Sequence, residues 1–315
     1  MCKFTQRIGE SPLADNFVIP LDLNFQGQPH AIASYLLKHS TGIVLIESGP
    51  GSTIPALTQA LAAHGYRLQD ITHVFLTHIH LDHAGAAGYL ARQGAQIFVH
   101  PVGAPHMLNP EKLLASATRI YGDLMQPLWG DFLPVPAEKL TVLEDNQEIT
   151  IGHLRLIALN TPGHAEHHFA YLFDDLCFSG DIGAVRIANH RYMRLPMPPP
   201  EFHLEKWRES VLRLQKLGFR RIAPTHFGIF EDVDWHLQAI LRSLDEVERW
   251  LLETMPTDPS AEELREKFVA WMEASGRAAG LTDEEIQAYR LANPLSMSAD
   301  GLQRYWKKVR NATPL

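Results

Sequence analysis

Cysteine is almost absent from this chain of 315 residues, which holds only Cys2 and Cys177. Two thiols so far apart make a poor disulfide framework, so a reducing compartment is expected. No apolar run approaches the ~18–20 residues a membrane helix needs, and the opening MCKFTQRIGESPLADNF has no apolar core of a secretory leader. These absences predict a cytoplasmic protein with no membrane partner. Positive charge is also short, with 28 Lys and Arg against 36 Asp and Glu and a formal net charge of −8. Nucleic-acid binding draws on clustered cations to neutralise phosphates, so no nucleic-acid partner is expected. No internal sequence repeat is visible.

What is present is ordinary globular composition, 45% hydrophobic and 20% charged, with one outlier: 17 histidines, several of them in tight groups. Over residues 30–230 short β-branched apolar runs alternate with helical patterns. Ile32–Leu37 and Ile43–Glu47 read as paired strands, Pro55–His64 as a helix, and His73–Leu76 as a buried strand. Ala84–Gln93 reads as one helix closed by Gly94. Further strands are expected at 97–99, 148–151, 154–159, 169–173, 176–179 and 221–224, with a helix over 204–217. Such alternation predicts an α/β layered fold. From Asp234 onward only helical stripes remain: Ile240, Leu244, Val247 and Leu251, then Leu264, Phe268 and Trp271, then Leu302, Tyr305, Trp306 and Val309. The expected division is a catalytic domain over 1–232 and a helical subdomain over 233–315. The last stripe serves either as packing surface or as a homodimer contact through the C-terminal helices. Residues 103–136 and 186–200 read as irregular segments of the kind that rim binding sites.

The densest chemistry is Thr77-His78-Ile79-His80-Leu81-Asp82-His83-Ala84-Gly85. Four potential ligands fall within six residues, after a strand and at a helix start. Positions i and i+2 of an extended segment point the same way, so His78 and His80 can grip one ion. Asp82 and His83 can face a second. Imidazole and carboxylate donors together suit zinc, iron or manganese. Three weaker pieces each follow a strand: Thr161-Pro162-Gly163-His164, Ser179-Gly180-Asp181 and Pro224-Thr225-His226. Ligands at successive strand ends can converge on one sheet edge.

With HxHxDH matched by His78, His80, Asp82 and His83, and the remaining positions by His164, Asp181 and His226, the chain resembles the metallo-β-lactamase superfamily over residues 30 to about 230. The resemblance implies a four-layer αββα sandwich, here with a C-terminal helical extension. It implies two divalent metal ions, zinc being expected and iron or manganese able to use the same donors. By the resemblance His78, His80 and His164 hold the first ion, Asp82, His83 and His226 the second, and Asp181 bridges them, so that Asp82 and Asp181 serve as catalytic carboxylates. One departure stands out: Glu47-Ser48-Gly49 occupies the place of the family's Asp-Thr-Gly turn, whose Asp orients a metal-bound His. His168 matches a common second position of structural kind, and His100, His167 and His190 are read as structural.

The implied activity is hydrolysis by metal-bound hydroxide of a small-molecule ester, thioester or lactone, of the glyoxalase II or lactonase type. An iron-dependent redox enzyme resembling persulfide dioxygenases is the alternative. Tyr192, in the segment after Asp181, is a candidate donor to a developing oxyanion. Arg304, Lys307, Lys308 and Arg310 read as a solvated basic helix end rather than a thiol-carrier site.

Overall fold

The computed structural model describes residues 18–187 and 191–311. Six strands form the first sheet in sequence order: β1 (Val18–Asp22), β2 (Ala33–His39), β3 (Gly42–Ile46), β4 (Ile71–Phe75), β5 (Gln96–Val99) and β6 (Leu140–Val142). Its first three strands pair antiparallel and the rest parallel. The second sheet holds β7 (Glu148–Ile151), β8 (Leu154–Asn160), β9 (Phe169–Phe173), β10 (Leu176–Phe178) and β11 (Arg221–Ala223) in the order 11-10-9-8-7. Only β10 and β11 are parallel neighbours there. Among the described residues the α-helices are α1 (Ile54–Ala63), α2 (Leu81–Ala84), α3 (Ala87–Arg92), α4 (Ala104–Leu108), α5 (Glu111–Tyr121), α6 (Met125–Trp129) and α7 (Leu204–Gln215), followed by α8 (Val233–Thr254), α9 (Ala261–Ala278), α10 (Asp283–Ala292) and α11 (Leu295–Tyr305).

Period-two alternation sorts the strand side chains into layers. Val44, Ile46, Phe75 and Phe98 of the first sheet meet Phe169, Tyr171 and Phe178 of the second in a core between the sheets. Ile43, Leu45, Ile97 and Val99 face outward onto α1, α3 and the 104–135 region. Ala170, Cys177 and Ile222 face the other way, onto α7, α8, α9 and α11. Helix, sheet, sheet, helix is therefore the layer order, and the fold is the expected αββα sandwich. The stripe on α8 is buried in this outer core. So are Leu302 and Tyr305, with Trp306 and Val309 packed against them, so the last stripe is filled from within the chain. Arg310 of the basic end pairs with Glu205 and Glu248. The helices α9 and α10 start at capping boxes, Ser260 with Glu263 and Thr282 with Glu285. No helix among the described residues is long and apolar enough to cross a membrane.

Three local readings are corrected. The helix expected at Ala84–Gln93 is broken into α2 and α3, because Ala86 N–H donates to the Gly49 carbonyl at 2.9 Å instead of into the helix, where Gly85 lies against the 50–51 turn. A Cβ there would sit 2.8 Å from Pro50 Cα and Gly51 N. Residues 103–136 are not irregular but carry α4, α5 and α6. Two edge strands were missed. β1 contains Pro20, which is tolerated only where no ladder donor is needed, and β6 is three residues long. His190 and Cys2 lie outside the described residues, while Cys177 is buried and free.

Trp207 of α7 is fully buried and donates Nε1–H to the Ile182 carbonyl at 3.1 Å. Its replacement in Trp207→Ala is expected to cost about 3–5 kcal/mol of stability, read as a lower urea midpoint.

Candidate metal centre

All the ligand-type residues singled out in the sequence arrive at one edge, because the strands that precede them end there. β4 delivers residues 77–83. β8, β10 and β11 share a direction and deliver His164, Asp181 and His226. Running the opposite way, β9 begins at that edge and places His167 and His168 beside them.

Two sets of donor atoms converge. In the first, His78 Nε2, His80 Nδ1 and His164 Nε2 lie 2.9–3.2 Å from one another, and Asp181 Oδ2 is 3.3 Å from His164 Nε2. In the second, His83 Nε2 and His226 Nε2 are each 3.5 Å from Asp82 Oδ2 and 3.4 Å from Asp181 Oδ1. The two oxygens of Asp181 thus face the two sets.

The other nitrogen of each Nε2 donor has a fixed partner. His164 Nδ1 donates to the Pro196 carbonyl and His226 Nδ1 to that of Ala31, both at 2.7 Å. His83 Nδ1 donates to Glu47 Oε1 at 3.0 Å. His78 Nδ1 lies 3.0 Å from Thr77 Oγ1, whose own proton goes to Glu47. With Nδ1 carrying the proton, every Nε2 presents a lone pair to the centre. Lone pairs facing each other at 3 Å repel unless a cation lies between them. Metal bonds of about 2.0–2.1 Å at tetrahedral angles set donor atoms about 3.3 Å apart, close to the spacing seen. His83 Nε2 and Asp181 Oδ1 are moreover buried with no hydrogen-bond partner, a costly state that a cation would relieve. The residues present therefore fit metal ions: His78, His80 and His164 form one group that could hold an ion, Asp82, His83 and His226 another. Glu47 also falls near His78 and His83, but its Oε1 already accepts from Thr77, His83 and Thr225, so it supports rather than ligates.

Electrostatics follow the same division. Burial and neighbouring histidines hold His78, His80 and His164 well below the usual imidazole range. Burial lifts Asp181 above the usual carboxylate range. Burial also opposes charge on His83, yet Asp82, Asp181 and Glu47 raise it well above its ordinary value.

Glu47 does the work expected of the shorter Asp, from a left-handed backbone (φ 69°). His168 is positional: it accepts Asp181 N–H at 3.2 Å and pairs with Thr161 Oγ1 at 2.9 Å. His100 is held by Asn160. Tyr192 is corrected: its hydroxyl donates to the Met272 carbonyl at 3.1 Å and accepts from Arg194 Nε, so it is committed to α9 and is no oxyanion donor. His167, read from the sequence as structural, also lines the cleft, its ring fixed between Ile79 N–H and Glu201 at 3.4 and 3.3 Å.

The centre opens into a cleft of about 430 Å³. Leu113, Ala117, Tyr121, Leu128 and Trp129 form one wall, and Pro196, Pro198–Pro200 and the 290–298 segment the other. Parts of both loop segments singled out in the sequence therefore line it.

The profile of the Metallo-beta-lactamase superfamily matches residues 27–226. A metallo-beta-lactamase fold-containing protein of Sulfurisphaera tokodaii is 26% identical over 219 residues, covering 68% of this chain and 80% of that protein. An atrochrysone carboxyl ACP thioesterase of Aspergillus fumigatus is 27% identical over 231 residues, 72% of this chain but only 60% of the thioesterase. Among solved structures, an archaeal metallo-beta-lactamase superfamily protein from Sulfolobus tokodaii superposes with a TM-score of 0.66 at 20% identity, covering 91% of this chain and 98% of the other. A metallo-beta-lactamase family protein from Thermus thermophilus gives 0.60 at 21% identity, covering 93% of each. At such identity the structures establish likeness of fold.

Replacing Glu47 in Glu47→Gln removes the charge facing His83 while keeping the volume. Zinc affinity, measured by competition with a chromogenic chelator, is expected to fall about 10–100-fold.

Proposed function

The chain belongs to the metallo-β-lactamase superfamily, and on that footing we propose that it is a metal-dependent hydrolase of small apolar thioesters, esters or lactones. The observation that carries this reading is the pair of donor sets sharing Asp181 at the floor of an apolar cleft. In this proposal His78, His80 and His164 hold one divalent ion, Asp82, His83 and His226 a second, and Asp181 both. Zinc suits the nitrogen-rich donors. Two such ions would acidify a water towards neutral pKa and polarise the scissile carbonyl.

The chain's own residues supply position and exclusion. His78, His80 and His164, kept neutral by burial, turn a Nδ1 or Nε2 lone pair inward and hold the donor geometry without reorganisation. Leu113, Ala117, Leu128 and Trp129 bury the acyl portion and keep bulk water from it, while Pro198–Pro200 and Met297 close the far side. The thioesterase named among the relatives supports a thioester as the first substrate to try.

The test is a panel of acyl thioesters, esters, lactones and phosphodiesters on zinc-loaded protein, joined to elemental analysis of the protein as purified. Hydrolysis of an acyl substrate is expected, falling at least about 10²-fold in His78→Ala and Asp181→Ala. Failure across the panel, or iron together with oxygen uptake on persulfides, would overturn the proposal. Within an acyl series kcat/KM is expected to rise by up to about fourfold per methylene, until the cleft is filled (about 0.8 kcal/mol each).

A further inference from the structure

Residues 185–187 and 191–197 form the two limbs of a strap at the site edge, where Val185 and Arg194 exchange both backbone hydrogen bonds, at 2.8 and 3.0 Å, as an isolated bridge. Each limb touches a donor residue of the centre. On one limb Arg186 N–H donates to the His226 carbonyl and Phe227 N–H donates to the Arg186 carbonyl. On the other, the Pro196 carbonyl accepts His164 Nδ1–H at 2.7 Å. The strap therefore fixes the ring of His164 and the backbone of His226, one donor residue of each set.

What fixes the strap is the C-terminal helices. The buried Tyr289 hydroxyl of α10 accepts Ile187 N–H at 3.1 Å and donates to the Tyr192 carbonyl at 3.0 Å, so a single atom ties both limbs. The Arg194 guanidinium lies over the rings of Tyr289 and Tyr192. On α11, Ser298 Oγ accepts Met197 N–H at 3.3 Å. Gly301 packs so tightly on the Met197 carbonyl that a Cβ would come within 1.9 Å of its oxygen.

We infer that α10 and α11 position the metal-binding histidines His164 and His226 through this strap, with Tyr289 and Ser298 as positioning residues. The inference rests on the proposed metal centre and adds that the helical region is part of its framework, besides walling the cleft. The physical reason is leverage. The Pro196 carbonyl that sets the His164 orientation sits on a limb with one isolated bridge among the described residues, so the contacts that hold that limb from outside help decide its place.

The experiment compares zinc affinity of the full-length parent, Tyr289→Phe and Ser298→Ala by chelator competition, with thermal melting of each metal-free protein. Tyr305→Phe is the control, since it removes a buried hydroxyl bonded to Glu205 at 2.7 Å, away from the strap. The expected result is affinity about tenfold weaker in Tyr289→Phe, a smaller loss in Ser298→Ala, and no change in Tyr305→Phe. A role confined to stability would lower the melting midpoint of the metal-free chain and leave affinity at the parent value, and that outcome overturns the inference. Should Tyr289→Phe fail to fold, Ser298→Ala decides alone. A parent that takes up no metal overturns the metal centre itself, and the inference with it; a parent that binds while both variants match it overturns only the inference.

Discussion

One buried carboxylate joins the parts on which the site depends. Glu47 follows β3 of the first sheet and is wholly inaccessible. Its oxygens accept from Thr77 N–H at 3.2 Å and from the Thr77 hydroxyl, after β4, from Thr225 Oγ1 at 3.0 Å, after β11 of the second sheet, and from His83 Nδ1 at 3.0 Å, in α2. An ionised group so deep is tolerable only when its lone pairs are met. Satisfying them fixes the edge of one sheet against the edge of the other. The same bonds choose the tautomer of His83 and, through Thr77, that of His78. Remove that carboxylate and three strand ends lose their common reference.

The residues of the candidate centre were readable because they are side chains with distinctive types at fixed spacing. His78-x-His80-x-Asp82-His83 announces itself, and the strand-end placement of His164, Asp181 and His226 follows from the apolar runs before them. The sandwich was readable because strands such as β3 send Ile43 and Leu45 one way, Val44 and Ile46 the other. What stayed hidden is carried by backbone. The carbonyls of Ala31 and Pro196 orient two of the imidazoles, yet any residue type presents a carbonyl, so no pattern marks them. Tyr192 misled for the converse reason: a hydroxyl near Asp181 in sequence was free to face α9 once the chain folded. The short helices of the 103–136 segment were obscured by the prolines and glycines that start and stop them.

The two faces of the second sheet divide the labour. Its inner face meets the first sheet in an aromatic core of Phe169, Tyr171 and Phe178, and the outer face carries α7, α8, α9 and α11. The helical region thus shares a core with the sheet that delivers His164, Asp181 and His226, and its later helices reach round to the cleft. Cleft wall and donor framework are built on the same support.

The donors lie scattered along the chain, from His78 to His226, and with their supporting Glu47 meet only where both sheets are complete. An unfolded chain offers the adjacent His78, His80 and His83 but none of the long-range partners. A cation that bound the assembled set would therefore favour the native state by mass action, by about 2.7 kcal/mol at a hundredfold excess over its dissociation constant. Folding equilibrium and free-metal concentration would be linked variables, and a thermal midpoint would have meaning only beside the metal activity at which it was taken.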